Sequence, residues 1–170
     1  MSVAAREQAS STICKQVVAT REFQASTRIA CYLPMHDEVD TREIIDRAWR
    51  ANKRVFVPVL RNKGQMVFCE IGADTELVKN RYDLWEPVRG VLLKARMLDL
   101  VITPTVAFDK FGHRIGMGGG YYDRAFSFLR HRRQWLQPKM LGVAFHCQEV
   151  EKITPKPWDI RLYRVIDETV

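Results

Sequence analysis

The feature that most limits the fold is a long hydrophobic segment followed by a glycine-rich one. Residues 99–109 read DLVITPTVAFD, and residues 112–124 read GHRIGMGGGYYDR, which holds five of the nine glycines of the chain. A hydrophobic run without alternation is typical of a strand covered on both faces of a sheet. We therefore predict a central buried strand whose end carries a glycine loop, followed by a helix over YYDRAFSFLRH.

Strand and helix patterns alternate along the rest of the chain. A helix is predicted over residues 6–20, and strands are predicted at 28–34, 54–60, 65–71, 140–145 and 161–167. After the first strand, Asp40 or Thr41 can cap a helix whose apolar stripe holds Ile44, Ile45, Ala48 and Trp49. This order predicts an α/β protein, with residues 1–170 as a single layered Rossmann-like domain. Its central sheet is expected to be mainly parallel and flanked by helices.

Two segments depart from the regular pattern. Pro58 interrupts the strand at 54–60, and a proline without an N–H group suggests an edge position or a bulge. Residues 72–96 show no clear period, so we predict irregular structure there, with Trp85, Glu86 and Pro87 as a fixed point.

Composition limits the classes of partner. The formal charge of +7 favours anionic partners such as phosphorylated cofactors, polycarboxylates or nucleic acid. The dense basic cluster HRRQW (131–135) is interpreted as a solvated helix end, because no basic stripe interleaved with aromatic residues recurs. No apolar run approaches the roughly 20 residues that span a bilayer, and the first residues contain no apolar signal-peptide core. We expect a cytoplasmic monomer with no nucleic-acid or membrane partner.

The four cysteines give no zinc or disulfide framework. They stand far apart in sequence, without a CxxC pair or a Cys/His cluster. We therefore predict buried free thiols at Cys14, Cys31, Cys69 and Cys147.

The glycine loop suggests a phosphate-binding site at a strand end. Glycines let anionic oxygens approach backbone amides, Arg114 can neutralise phosphate, and Asp123 can hold a hard cation. The dinucleotide fingerprint fails because Tyr121 stands at its third glycine position, and the lysine of the P-loop is absent. From glycine alone, a turn needed only for chain reversal stays open as an alternative.

The run PTVAFDKFGHRIGMGGGYYDR closely resembles the signature of the 5-formyltetrahydrofolate cyclo-ligase family, also called 5,10-methenyltetrahydrofolate synthetases. Further segments match in order: CYLPMHDEVDT, KRVFVPVL, WEPV, LGVAFHCQEVEKIT and PWDIRLYRVIDE. The resemblance covers residues 6–168 and implies an ATP- and Mg²⁺-dependent ligase. Such an enzyme converts 5-formyltetrahydrofolate to 5,10-methenyltetrahydrofolate by phosphorylating the formyl oxygen and closing a ring, with release of ADP and phosphate.

The resemblance also implies roles for individual residues. Arg114 and Tyr121 would be catalytic, and Asp123 and Asp159 would hold Mg²⁺. Leu33 and Glu38 would bind the folate together with Met117, Gly118, Gly119, Gly120 and Tyr121. The ATP-binding residues would be Arg114, Ile115, Gly116, Met117, Gly118, Gly119, Gly120, Tyr121 and Tyr122.

Each of these residues also has a purely structural interpretation. Glu38 could begin a helix, Asp159 could pair with a basic neighbour, and Tyr122 could be a core ring. The family also has a basic N-terminal helix with a Lys/Arg-x-x-x-Arg pattern that reaches the nucleotide, and Arg6 and Lys15 do not reproduce its spacing. An alternative prediction is therefore a catalytically weakened homologue that binds folate or nucleotide.

Overall fold

The computed structural model describes residues 1–35, 37–80, 82–131 and 137–169. The helices of this part are α1 (Val3–Ala19), α2 (Arg21–Ala25), α3 (Arg42–Arg50) and α4 (Tyr121–Ala125). Its strands are β1 (Arg28–Ala30), β2 (Arg54–Leu60), β3 (Met66–Ile71), β4 (Leu77–Lys79), β5 (Trp85–Pro87), β6 (Leu92–Leu93), β7 (Leu100–Pro104), β8 (Ala107–Phe108), β9 (Arg114–Ile115), β10 (Lys139–Val143) and β11 (Arg164–Ile166). Short 3-10 turns lie at Asn62–Gly64, Ala95–Met97, Ser127–His131 and His146–Gln148.

A seven-stranded sheet forms the centre of the molecule. Its order is β11-β10-β7-β1-β2-β3-β6, and the five strands from β11 to β2 run parallel. β3 and β6 are antiparallel to their neighbours. The α/β fold with a mainly parallel sheet is therefore confirmed. β7 lies inside the sheet, with four of its five residues buried, as its sequence predicts.

Successive apolar side chains of the strands point to opposite faces of the sheet, where they form two core clusters. Ile29, Leu100 and Ile102 pack on the face that α1 and α3 cover. Ala30 and Val101 point to the opposite face, where Phe126, after α4, is fully buried. Because both faces are covered, the inner strands bury nearly every residue.

The position of Pro58 differs from the sequence-based prediction. β2 lies between β1 and β3, and its register with β3 is continuous through the pair Pro58↔Phe68, so the expectation of an edge strand or a bulge is wrong. Phe56 and Leu60 share the orientation of Pro58: the Phe56 carbonyl accepts from Cys31, and the Leu60 N–H donates to Glu86. The nitrogen of Pro58 thus points toward β1, but β1 ends at Ala30, opposite Phe56. Within the residues described above, no strand lies opposite Pro58 on that side, so the sheet needs no N–H donor there.

Other boundaries are shorter or more divided than the patterns predict. Segment 99–109 forms β7 and then β8, and residues 121–131 form α4 followed by a 3-10 turn. The segment 72–96 contains β4, β5 and β6, so it is more regular than expected.

Cys147 is exposed, whereas the other three cysteines are buried as predicted. In the cluster HRRQW, residues 132–135 lie outside the described part of the chain. Among the described helices, none has the length and apolar character to cross a membrane.

Candidate active site

The candidate residues lie at the carboxyl edge of the parallel strands. β1 pairs with β7 through Ile29↔Leu100 and Ala30↔Val101, so the segments that follow these two strands leave the sheet side by side. Leu33 and Glu38 follow β1, and the glycine loop follows β7. This edge of an open α/β sheet is the usual place for ligand binding.

A short hairpin positions the glycine loop. β8 and β9 pair through Ala107↔Ile115 and Phe108↔Arg114. The turn between them is organised by Asp109, whose side chain is fully buried. Its carboxylate accepts hydrogen bonds from the N–H groups of Phe111 and His113, at 3.0 Å each, and of Ile153, at 2.9 Å. The Nδ1 atom of His113 lies 2.9 Å from the same carboxylate.

These contacts keep Asp109 ionised. Burial alone raises the pKa of a carboxyl group, but the hydrogen bonds from Ile153, His113 and Phe111 outweigh it and lower the pKa of Asp109 to about 2. The ionised Asp109 carboxylate therefore stabilises the folded hairpin and connects it to the segment around Ile153.

The loop itself is open to solvent. Residues 115–119 are exposed, with Met117 at 73%, and Gly118 and Gly120 have φ angles of 85° and 61°. In the described part of the chain, no protein acceptor takes a hydrogen bond from the backbone N–H of Gly118 or Gly119. These donors are thus available to an anionic ligand.

Arg114 and Asp123 contact each other at the base of the loop. The Arg114 side chain is only 5% exposed, and its Nη2 lies 3.0 Å from Oδ1 of Asp123. Its Nη1 donates to the Ile160 carbonyl at 2.6 Å, while the Ile160 N–H donates to Asp123 Oδ1 at 2.9 Å. The ion pair therefore joins β9, α4 and the segment around Ile160.

Asp159 directly precedes Ile160, whose backbone bonds both members of this ion pair. Its Oδ2 accepts from the backbone N–H of Lys156 at 2.8 Å, and no ion pair with a basic side chain forms within the described residues. Within those residues, Oδ2 of Asp123 and Oδ1 of Asp159 have no hydrogen-bond partner. Each carboxylate thus has one oxygen without a protein partner, which is the type of ligand atom that Mg²⁺ takes beside waters and phosphate.

Glu38 lies in the loop after β1 and does not cap the next helix. Its Oε2 accepts from the Met35 N–H at 2.9 Å, and burial raises the pKa of its carboxyl group. Thr41 is the N-cap residue of α3 and makes no side-chain capping bond, while the Asp40 carboxylate, one residue earlier, accepts from the Arg42 N–H at 3.0 Å. Thr41 instead donates to the Tyr32 carbonyl at 2.7 Å. Leu33 packs, half-buried, against the core cluster under α1 and α3.

The two adjacent tyrosines take different positions. The Tyr122 ring stacks on Phe126 with centroids 6.2 Å apart, and both tyrosines pack against the second core cluster. Burial, then the nearby Cys31 thiol and Glu38 carboxylate, raise the pKa of the Tyr122 hydroxyl, and Arg114 acts in the opposite direction. Tyr122 is therefore close enough to both Glu38 and Arg114 to feel their charges. The Tyr121 ring lies under the guanidinium of Arg124, 5.0 Å from its centre.

Sequence reasoning assigned no role to two residues that hold this edge together. Gln148 donates from Nε2 to the Thr105 and Val106 carbonyls at 2.9 Å each, just where β7 ends. Arg124 donates from Nη2 to the Gly119 carbonyl at 2.8 Å and from Nε to the Gly64 carbonyl at 3.1 Å. Both residues lie inside motifs that match the family, but the partners Thr105, Val106 and Gly64 are distant in sequence.

The fold and site together define a Rossmann-like protein: the sheet is open and mainly parallel, and a solvent-exposed glycine loop lies at its carboxyl edge. The family model of 5-formyltetrahydrofolate cyclo-ligases matches residues 1–168. The chain belongs to this 5-formyltetrahydrofolate cyclo-ligase family.

Similar proteins agree with that assignment. The 5-formyltetrahydrofolate cyclo-ligase of Escherichia coli K12 is 44% identical over 143 residues, which cover 81% of this chain and 76% of the relative. The protein of that name from Haemophilus influenzae is 33% identical over 167 residues, covering 95% and 86%. The family and the enzyme class predicted from the sequence are confirmed.

Solved structures agree in fold. The 5,10-methenyltetrahydrofolate synthetase of Aquifex aeolicus superposes with a TM-score of 0.84 at 25% identity, covering 100% of this chain and 83% of the other. The synthetase of that name from Mycoplasma pneumoniae gives a TM-score of 0.76 at 21% identity, covering 99% and 90%, and this likeness supports the fold alone.

Proposed function

We propose that this chain converts 5-formyltetrahydrofolate to 5,10-methenyltetrahydrofolate, with ATP and Mg²⁺, releasing ADP and phosphate. The observation that carries the proposal is the open glycine loop, with donors at Gly118 and Gly119, beside Asp123 and next to the segment of Glu38. A phosphate-binding element and a folate-binding element then share one edge of the sheet.

The reaction overcomes the poor reactivity of an amide carbon. The formyl oxygen attacks the γ-phosphorus of ATP, and the bond from that phosphorus to ADP breaks. The formyl carbon becomes iminium-like, the neighbouring anilino nitrogen attacks it and loses its proton, and the carbon–oxygen bond breaks as phosphate leaves. The protein mainly has to position the reactants and neutralise charge.

The nucleotide would lie along residues 114–122. The amides of Gly118 and Gly119 would receive phosphate oxygens, and Arg114 would contribute positive charge from the base of the loop. Asp123 and Asp159 would hold Mg²⁺, which when bound would draw electron density from the phosphate oxygens. Arg114, now paired with Asp123, would gain the phosphate as a second anionic neighbour.

The folate would lie between Leu33 and residues 117–121. Leu33 would contact the flat pterin, and the Glu38 carboxylate would accept hydrogen bonds from its amino-pyrimidine edge. Because burial raises the pKa of Glu38, paired N–H donors from the ligand would stabilise its ionised form. Tyr121 would stand at the end of the loop, near the formyl group.

The proposal is tested by mixing the protein with 5-formyltetrahydrofolate, Mg²⁺ and ATP and following the near-ultraviolet absorbance of the methenyl product. We expect product only when ATP and Mg²⁺ are both present. Folded protein that gives no product at high concentration would contradict the activity. Calorimetry with the folate would then test the alternative of a binding homologue.

The monomeric state, the cytoplasmic location and the absence of a nucleic-acid partner stay predictions.

A further inference from the structure

The glycine loop contains no basic side chain of its own. Residues 115–123 read IGMGGGYYD, without Lys, Arg or His. Arg114 precedes this run, but it is almost fully buried and contacts Asp123 and the Ile160 carbonyl. Arg114 would thus reach the phosphates only from the base of the loop, and the next basic residue in the chain, after the loop, is Arg124.

Arg124 extends from α4 back over the loop. Its guanidinium bonds the Gly119 carbonyl through Nη2 and, through Nε, the Gly64 carbonyl in the turn between β2 and β3. The Tyr121 ring lies on one side of it, with the guanidinium carbon 5.0 Å from the ring centre. The side chain is thus held at three points, although the residue is exposed to solvent.

Two glycines make this position possible. A Cβ atom on Gly64 would stand 3.0 Å from Nη2 of Arg124, and one on Gly120 would stand 2.9 Å from Nη1. Both glycines also have positive φ angles, of 72° and 61°. The turn after β2 and the start of α4 therefore form a cradle in close contact with the guanidinium, and a side chain on either glycine would displace Arg124 from this position.

The charge of Arg124 has no acidic partner in the cradle. Within the described residues, no carboxylate lies within 4.0 Å of its guanidinium, unlike that of Arg114. The two hydrogen bonds to carbonyl oxygens use two of its five N–H donors. Bonds from a guanidinium to phosphate are shorter and about twice as strong as bonds between neutral groups, so an arriving phosphate could engage the remaining donors.

We propose that Arg124 is a phosphate-binding residue of the nucleotide site, held ready by the Gly64 and Gly120 cradle and the Tyr121 ring. This inference rests on the proposed function, since it assigns the cation that faces the nucleotide. It also gives the turn between β2 and β3 a role in positioning the glycine loop.

Calorimetric titration of the whole chain with Mg²⁺-ADP and with adenosine tests the inference. We expect Arg124→Met to weaken Mg²⁺-ADP binding by about 10- to 100-fold, as for the loss of a charged hydrogen bond, and to leave adenosine binding unchanged. Arg124→Lys, which keeps the charge without the planar fork, should fall between wild type and Arg124→Met. Arg130→Met is the matched control, because Arg130 is also exposed and also bonds two carbonyls, at Ser127 and Pro157.

In turnover, Arg124→Met should raise the KM for ATP and leave the KM for the folate as in wild type. Mg²⁺-ADP binding by Arg124→Met at wild-type strength would overturn the inference while leaving the proposed function intact. Equal weakening for adenosine and Mg²⁺-ADP would also overturn it, since Arg124 would then act only on loop structure. A wild-type chain that binds no Mg²⁺-ADP would overturn the proposed function together with the inference.

Discussion

At the scale of single residues, the buried carboxylate of Asp109 links the stability of the fold to pH. Its pKa is about 2 in the folded protein, below the ordinary value of about 3.9 in an unfolded chain. A group with a lowered folded pKa contributes stability that is fully present above the unfolded value. That contribution is lost as the pH falls from about 4 toward about 2.

We predict that Asp109→Asn lowers the free energy of unfolding by about 2 kcal/mol at neutral pH. The asparagine keeps one oxygen acceptor but presents an NH₂ group to the N–H donors of the turn. The variant should also lose stability less steeply than wild type between pH 4 and pH 2. Urea unfolding at a series of pH values measures both effects.

The exposed Asp46 on α3 provides the control, and Asp46→Asn should match wild type throughout. Parallel pH profiles for wild type and Asp109→Asn would show that the Asp109 carboxylate does not contribute in this way.

Asp123→Asn separates the structural role of that residue from its proposed role at the metal. The amide oxygen can still accept from the Ile160 N–H and from Arg114, so the fold should survive. Loss of the negative charge should reduce turnover by about 100-fold or more, because a carboxylate ligand of Mg²⁺ is lost. Product absorbance and thermal unfolding are measured together. Turnover near the wild-type rate would remove Asp123 from the metal site.

The sequence was sufficient to select candidate residues for the site, but it did not predict their contacts. The motif resemblance selected Arg114, Asp123 and Glu38 as candidates, and all three lie at the same edge of the sheet. The contact from Arg114 to Ile160 spans 46 positions and that from Arg124 to Gly64 spans 60, so both depend on the tertiary fold. Local patterns carry no information about such pairs.

At the scale of elements, Gln148 connects the ends of two parallel strands. It follows β10, its Oε1 accepts from the Phe145 N–H at 2.7 Å, and its Nε2 contacts the two carbonyls just after β7. The chain between β7 and β8 is thereby fixed, and with it the hairpin that carries the glycine loop.

We predict that Gln148→Glu lowers the free energy of unfolding by about 1–3 kcal/mol, because a carboxylate would replace the donors facing two carbonyl oxygens. It should also lower kcat/KM by displacing the hairpin. Urea unfolding and steady-state turnover measure the two effects. The control is Gln8→Glu on the exposed side of α1, which should change neither. Wild-type values for Gln148→Glu would show that the loop does not depend on this connection.

Hydrophobic patterns predicted the main helices and most strands of the central sheet, but they missed β4, β5 and β6 and some limits of the other elements. Segment 99–109 reads as one hydrophobic run, yet the structure divides it because the chain leaves the sheet after Pro104 to form the hairpin. Pro58 suggested an edge strand because a proline cannot donate a hydrogen bond to a neighbouring strand on both sides. That expectation takes no account of how long the neighbouring strand is. The real position of Pro58 depends on β1 being only three residues long, which the strand β2 cannot reveal.

At the scale of the whole molecule, two segments that follow neighbouring strands are brought to one edge. In the proposed function, the glycine loop would offer amide donors to a nucleotide, and the segment of Leu33 and Glu38 would offer an apolar surface and a carboxylate to a pterin. The family resemblance predicted both, whereas composition indicated only an anionic partner. The fold explains why the two reactants would meet, since β1 and β7 are adjacent and parallel.

The chemistry is tested most directly by following the formyl oxygen. When 5-formyltetrahydrofolate carries a heavy oxygen isotope in its formyl group, the proposed reaction transfers that atom to the released phosphate. Turnover with ATP and Mg²⁺ should give one labelled oxygen per phosphate and one ADP per methenyl product, measured by mass spectrometry. Unlabelled phosphate, or ADP formed without the folate, would contradict a cyclo-ligase that activates the formyl oxygen.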